Sequence, residues 1–123
     1  MPVWLMWMVP LMLTLQPAGK TWPVEAEQMV PIQIEIVADS VNVIRASVTV
    51  KPGTPARELM NRLFQMKYAD WRQSFVTGIA GFEASKRKRQ YWALSIDGEY
   101  AKVGIAAIKI TEPMRIRWIL KTY

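Results

Sequence analysis

The sequence predicts an α+β fold of the β-grasp kind, with one helix packed on a mixed sheet of four or five strands. Three observations carry that expectation. Residues 32–50 hold two alternating apolar and polar runs. A segment of helical period follows between Pro55 and Met66. Three further strand-like segments, the first ending in Asp97-Gly98, fill the last third. An amphipathic helix and a one-sided sheet each bury their apolar surface against the other, which gives two layers around one core.

Ile32-Gln33-Ile34-Glu35-Ile36 alternates as a half-buried strand does. Asp39, Ser40 and Asn42 supply turn chemistry, and Ile44, Ala46, Val48 and Val50 alternate along a second, antiparallel strand. Lys51-Pro52-Gly53 ends it. Thr54 is expected to cap a helix through its hydroxyl, with Pro55 at the first helical position. Leu59, Met60, Leu63, Phe64 and Met66 then form an apolar stripe that reads as core rather than as a cofactor site.

A short extended stretch is expected around Ser74–Ile79, followed by the dense basic run Lys86-Arg87-Lys88-Arg89. Tyr91–Ile96 has strand composition, and Asp97-Gly98 is a two-residue hairpin signal because both residues tolerate positive φ. Glu99–Lys102 returns as a strand, Val103–Ile110 crosses over with Gly104 as a flexible point, and Thr111–Met114 turns the chain. Arg115–Leu120 is the last strand, with Ile116, Trp118 and Leu120 on one face. Alternation puts Trp92 in the core and Tyr91 nearer the surface.

Residues Val3–Leu15 form an apolar run of 13 residues without a charge. A membrane span needs about 20, whereas the apolar region of a secretory signal needs about 7–15. Residues 1–26 are therefore expected to be a signal peptide or an amino-terminal anchor, with cleavage after Ala26 or alternatively after Ala18. The first basic side chain is Lys20. Residues 27–123 would form the single exported domain, extracellular, periplasmic or associated with the cell envelope. Any membrane contact would run through the amino-terminal segment if it is uncleaved.

The sequence contains neither cysteine nor histidine. Disulfides, thiolate and imidazole metal sites, cysteine nucleophiles and Ser-His-Asp arrangements are thereby excluded. Asp97 and Glu99 sit at a hairpin tip, where solvent denies them the desolvation that separates acid from base roles. Ser95 and Thr77 lack a base partner of the usual kind, so no catalytic residue and no metal ligand is assigned. The chain carries a net charge of +6, which suits an anionic partner. Lys86, Arg87, Lys88 and Arg89 are either a solvated loop or a loop that contacts anionic groups. No aromatic side chain interleaves that run, so nucleic acid is not the expected partner.

Tyr91-Trp92-Ala93-Leu94-Ser95-Ile96-Asp97-Gly98, followed by Ala101, Val103-Gly104-Ile105-Ala106, Lys109-Ile110 and Arg115-Ile116-Arg117-Trp118, resembles the carboxy-terminal domain of transcobalamin and the exported bacterial and archaeal domains of unknown function that share its fold. Lys51-Pro52-Gly53-Thr54 resembles the family's turn before its helix. Two positions depart from the pattern. Thr111–Met114 stands where an Asp-Gly-Asp-like turn is usual, and Ala93 stands where vertebrate carriers often place a glutamine toward the corrin. The resemblance implies a non-enzymatic module that binds cobalamin or another corrinoid-like small ligand. Tyr91, Trp92, Leu94, Tyr100 and Ile105 would then supply apolar and stacking contacts, with Ala93 between them. The other reading is an interaction or adhesion module that holds another envelope protein at a sheet edge or face.

Overall fold

The computed structural model describes residues 28–123; the expected signal or anchor segment lies outside the described residues. Strands β1 (Val30–Val37) and β2 (Val43–Val50) form a hairpin, followed by the two-residue strand β3 (Thr54–Pro55) and helix α1 (Ala56–Leu63). Next come β4 (Met66–Tyr68), β5 (Val76–Ile79), β6 (Phe82–Glu83), β7 (Gln90–Ile96) and β8 (Glu99–Tyr100). A 3-10 turn at Ile105–Ala107 leads to β9 (Lys109–Ile110) and β10 (Met114–Thr122).

The main sheet has the order β2-β1-β10-β7-β8. Its centre is the parallel pair β1–β10, with Ile34 beside Ile116 and Ile36 beside Trp118. The β1–β2, β10–β7 and β7–β8 pairs are antiparallel, so the sheet is mixed and the fold is α+β. The expected alternation is realised in β1, where Val30, Ile32, Ile34 and Ile36 are buried. They meet Leu59 and Met60 of α1, Ile105, Ile110, Ile116 and Trp118 in one apolar cluster. The small sheets β3–β9 and β4-β5-β6 flank that core.

Turn chemistry behaves as the residues dictate. Asp39 Oδ1 accepts from the backbone N–H of Val41 at 2.9 Å and of Asn42 at 2.8 Å, which closes the β1–β2 turn. Asp97 (φ 51°) and Gly98 (φ 90°) give the β7–β8 hairpin two successive left-handed residues.

Three expectations need correction. Thr54 does not cap α1: its hydroxyl donates to the Lys51 carbonyl at 2.7 Å. Thr54 and Pro55 pair instead with Ile110 and Lys109, and the helix begins one residue after the proline. The helix is also shorter than its apolar stripe suggests. Phe64 (φ −135°, ψ 157°) leaves helical geometry, and Met66 pairs with Ile79 in β4. Finally, Gly104 has an ordinary φ of −75°. It is small because a Cβ there would stand 2.9 Å from the Ser74 carbonyl oxygen, so the position needs close approach rather than flexibility.

Candidate functional site

β7 has one side paired along its length to β10 and the other side only partly covered. Alternate residues of an antiparallel strand direct both backbone polar groups to the same side. The Asp97 N–H donates to Arg115 and the Tyr123 N–H to Arg89, which assigns the odd-numbered residues of β7 to the β10 side. The even-numbered ones face the other edge, where the Leu94 carbonyl accepts from the Ala101 N–H at 2.9 Å. β8 stops at Tyr100. Beyond Ala101 the chain leaves β7, and Gly104 packs against Ser74. The N–H and C=O of Trp92 are thus left facing an opening with no backbone partner among the described residues.

That opening is a cleft of about 700 Å³. Its inner wall holds Trp92, Leu94, Trp118, Val76 and Ile105, all buried. Its outer part holds Tyr91, Tyr100, Val103, Phe75 and Lys121. The six residues expected to contact a ligand, Tyr91, Trp92, Ala93, Leu94, Tyr100 and Ile105, all line this one cleft. Trp92 is 6% exposed and Tyr91 37%, the division that strand alternation predicts. Phe75, Tyr91, Tyr100 and Val103 are exposed apolar side chains gathered on one rim, an arrangement that marks binding surfaces.

Local bonding fixes the walls. The Trp92 Nε1 donates to the Phe82 carbonyl at 3.2 Å, tying β7 to the β5–β6 hairpin. The buried Trp118 Nε1 has no acceptor among the described residues. The Asp70 carboxylate accepts from the N–H groups of Phe75 (2.9 Å) and Ser74 (3.0 Å), so the loop carrying Phe75 is tied at its base. Those bonds, the one from Phe75 foremost, hold the Asp70 carboxyl below its ordinary range. Lys121 Nζ donates to the Tyr100 hydroxyl and lies 4.5 Å from that ring's centroid. Hydrogen bonding to Tyr100 is the main cause that holds the lysine above its ordinary range.

The basic run lies elsewhere. Lys86, Arg87, Lys88 and Arg89 form an exposed turn and none of them lines the cleft. Only Arg89 approaches, through the Tyr123 ring 5.2 Å from its guanidinium and 6.0 Å from the Tyr91 ring. Sequence reasoning missed Phe75, Val76, Trp118 and Lys121 as lining residues. They come from segments that only the fold brings to β7. Among the described residues no three Asp or Glu side chains stand together as a metal-binding group.

A mixed sheet of this order, with its helix on one face, has a transcobalamin C-terminal-like fold. It superposes on the crystal structure of haptocorrin in complex with Cbi with a TM-score of 0.63 at 19% identity, over 77% of this chain and 25% of that one. The crystal structure of a protein from Ruminococcus gnavus, described as a proposed metal-binding protein, matches with a TM-score of 0.63 at 14% identity, over 76% of this chain and 98% of that one. The chain belongs to the family described as a domain of unknown function (DUF4430), whose profile matches residues 53–122. No curated protein matches the sequence.

Proposed function

We propose that residues 27–123 are an exported, non-enzymatic binding module of β-grasp type that holds a small ligand with a flat apolar body, cobalamin or a relative of it, in the β7-edge cleft. One observation carries the reading. The cleft is large enough for a ligand, its inner wall is aromatic and aliphatic, and its rim exposes Phe75, Tyr91, Tyr100 and Val103. The complex of haptocorrin with Cbi supports the choice of a corrinoid. The strand order β2-β1-β10-β7, with α1 between the outer hairpins, supports the β-grasp assignment. The apolar run of residues 3–15 supports export.

Isothermal titration with cobalamin and with cobinamide tests the ligand. Saturable binding is expected, weakened about tenfold, or 1.4 kcal/mol, in Tyr100→Ala. Absence of heat and of co-elution with either corrinoid overturns the corrinoid reading.

A second reading has its own observation. The unpaired N–H and C=O of Trp92 at an open edge suit an extended segment of another envelope protein added beside β7. Competition decides between the two: a corrinoid that binds at the cleft must displace such a segment.

A further inference from the structure

The main sheet ends on one side in the two-residue β8 and on the other in β2. The Ala38 N–H donates to the Asn42 carbonyl at 2.9 Å. That bond continues the unbroken β1–β2 register, in which Ile36 lies beside Ile44 and Ile34 beside Ala46, so the even-numbered residues of β2 direct their N–H and C=O groups to β1. The odd-numbered ones, Val43, Arg45, Ser47 and Thr49, direct theirs past the edge, where they have no backbone partner among the described residues. Exposed edges are ordinarily blunted by brevity, bulges, proline or charge. β2 runs for 8 residues without a proline or a register shift. Its one charged side chain, Arg45, is drawn back across the sheet, with Nε donating to Glu35 Oε2 at 3.0 Å. The core-facing Ile44, Ala46 and Val48 stay half-buried, because the apolar layer stops at this strand.

We infer that β2 pairs antiparallel with β2 of a second copy of this chain, about a two-fold axis through Ala46, and joins two five-stranded sheets into one. This register sets Val43 beside Thr49 of the second copy and Arg45 beside its Ser47, and symmetry supplies the reverse pairs. Every outward-directed residue of one edge then meets an outward-directed residue of the other, with about eight backbone hydrogen bonds between them. On the core face Ile44 packs beside Val48 of the second copy and Ala46 beside its own counterpart, which continues the layer that β2 leaves open. On the outer face Arg45 meets a serine, and each guanidinium stays with its own Glu35.

The strand's own sequence selects the occupant. The edge requires a strand of matching length with apolar residues on the core face and small polar ones outside, and β2 is itself such a strand. Moving the axis spoils the match. Through Arg45 it would oppose two guanidiniums, and through Val48 it would set Arg45 against Lys51. Through Ile44 it would leave Ser47 and Thr49 beyond the end of the other strand, and through Ser47 it would leave Val43 there. No β2 residue lines the cleft, and β1 and β10 lie between β2 and β7. The pairing therefore does not rest on the ligand reading, and it leaves one cleft toward each outer edge of the joined sheet.

Sedimentation of the full chain over a dilution series gives the dimer Kd, and hydrogen exchange follows the amides of Val43, Arg45, Ser47 and Thr49. A dimer at about 100 μM that dissociates on dilution is expected, with those amides exchanging faster as it does. Ser47→Pro removes an N–H that no bond within the chain uses, and Ser47→Lys sets a second cation opposite Arg45. Each is expected to raise Kd at least about tenfold with circular dichroism unchanged. The sequence has no cysteine, so a single introduced one can link only two copies. Ala46→Cys, on the axis, would face its counterpart at about 4.5 Å between Cα atoms and form a disulfide. Ser47→Cys would stand about 7–8 Å from its own counterpart and link at least about tenfold more slowly. A chain monomeric at about 100 μM overturns the second copy, and edge amides that stay protected in that monomer would assign the edge to another segment of the same chain. Self-association that Ser47→Lys leaves unchanged, or Ser47→Cys linking as fast as Ala46→Cys, overturns the β2 pairing.

Discussion

Replacing Gly104 by alanine tests whether close packing of two chain segments holds the cleft in shape. An added Cβ would meet Ser74 Oγ at 2.6 Å and the Ser74 carbonyl oxygen at 2.9 Å, where ordinary contact begins at 3.4 Å. The hydroxyl can rotate away. The carbonyl cannot follow easily, because the N–H groups of Ser74 and Phe75 are both bonded to Asp70. Overpacking of this kind costs about 1–3 kcal/mol. The Gly104 φ of −75° suits alanine, so the smaller entropy of the unfolded variant returns about 0.4–1 kcal/mol. A net loss of about 1–2 kcal/mol is expected, read as a drop of about 1 M in the urea midpoint at unchanged slope. Adding Ser74→Gly removes the hydroxyl contact and leaves the carbonyl one, so the double variant should recover only part of the loss. Tryptophan fluorescence during urea titration is the assay, since Trp92 and Trp118 line the cleft. A Gly104→Ala protein as stable as its parent would refute the packing argument.

Two further outcomes follow from the site's polar groups. Asp70 has its folded pKa lowered, chiefly by the Phe75 N–H, so its contribution is present above the unfolded value near 4 and is lost as pH falls through the folded one; acid titration should therefore destabilise the parent more than Asp70→Asn, and equal acid sensitivity would contradict the bonding described. Trp92→Phe leaves the Phe82 carbonyl without its donor, whereas Trp118→Phe deletes an N–H that has no acceptor among the described residues, so chemical denaturation should show the first variant less stable than the second by about 1–2 kcal/mol.

The hairpins were legible because local chemistry decides them. Asp97-Gly98 tolerates positive φ at both positions, and the even-numbered apolar residues of β1 can face only one layer. The end of α1 was not legible, since Phe64 and Met66 continue a helical stripe in sequence and only the pairing of Met66 with Ile79 explains why the chain turns extended. Thr54-Pro55 carries helix-start chemistry yet lies beside Ile110 and Lys109, a long-range pairing that overrides a local signal. Of the cleft, the β7 and β8 residues could be read from the sequence, but Phe75, Trp118 and Lys121 reach it through tertiary folding. Charge shows the same split between what is local and what the fold brings together. Lys86–Arg89 is dense along the chain and apart from the cleft, while Arg117 meets a carboxylate 82 residues earlier.

The side-by-side β1–β10 pair has a kinetic consequence. β1 opens the described fold and β10 closes it, and they are central neighbours, so the sheet cannot be assembled in order of synthesis. Until Met114–Thr122 is available, the β1–β2 hairpin has nothing on its inner flank and Ile34 and Ile36 lack Ile116 and Trp118 beside them. Such late, distant pairing slows folding. A chain missing only its last strand would therefore stay open to proteases along its whole length instead of losing one edge.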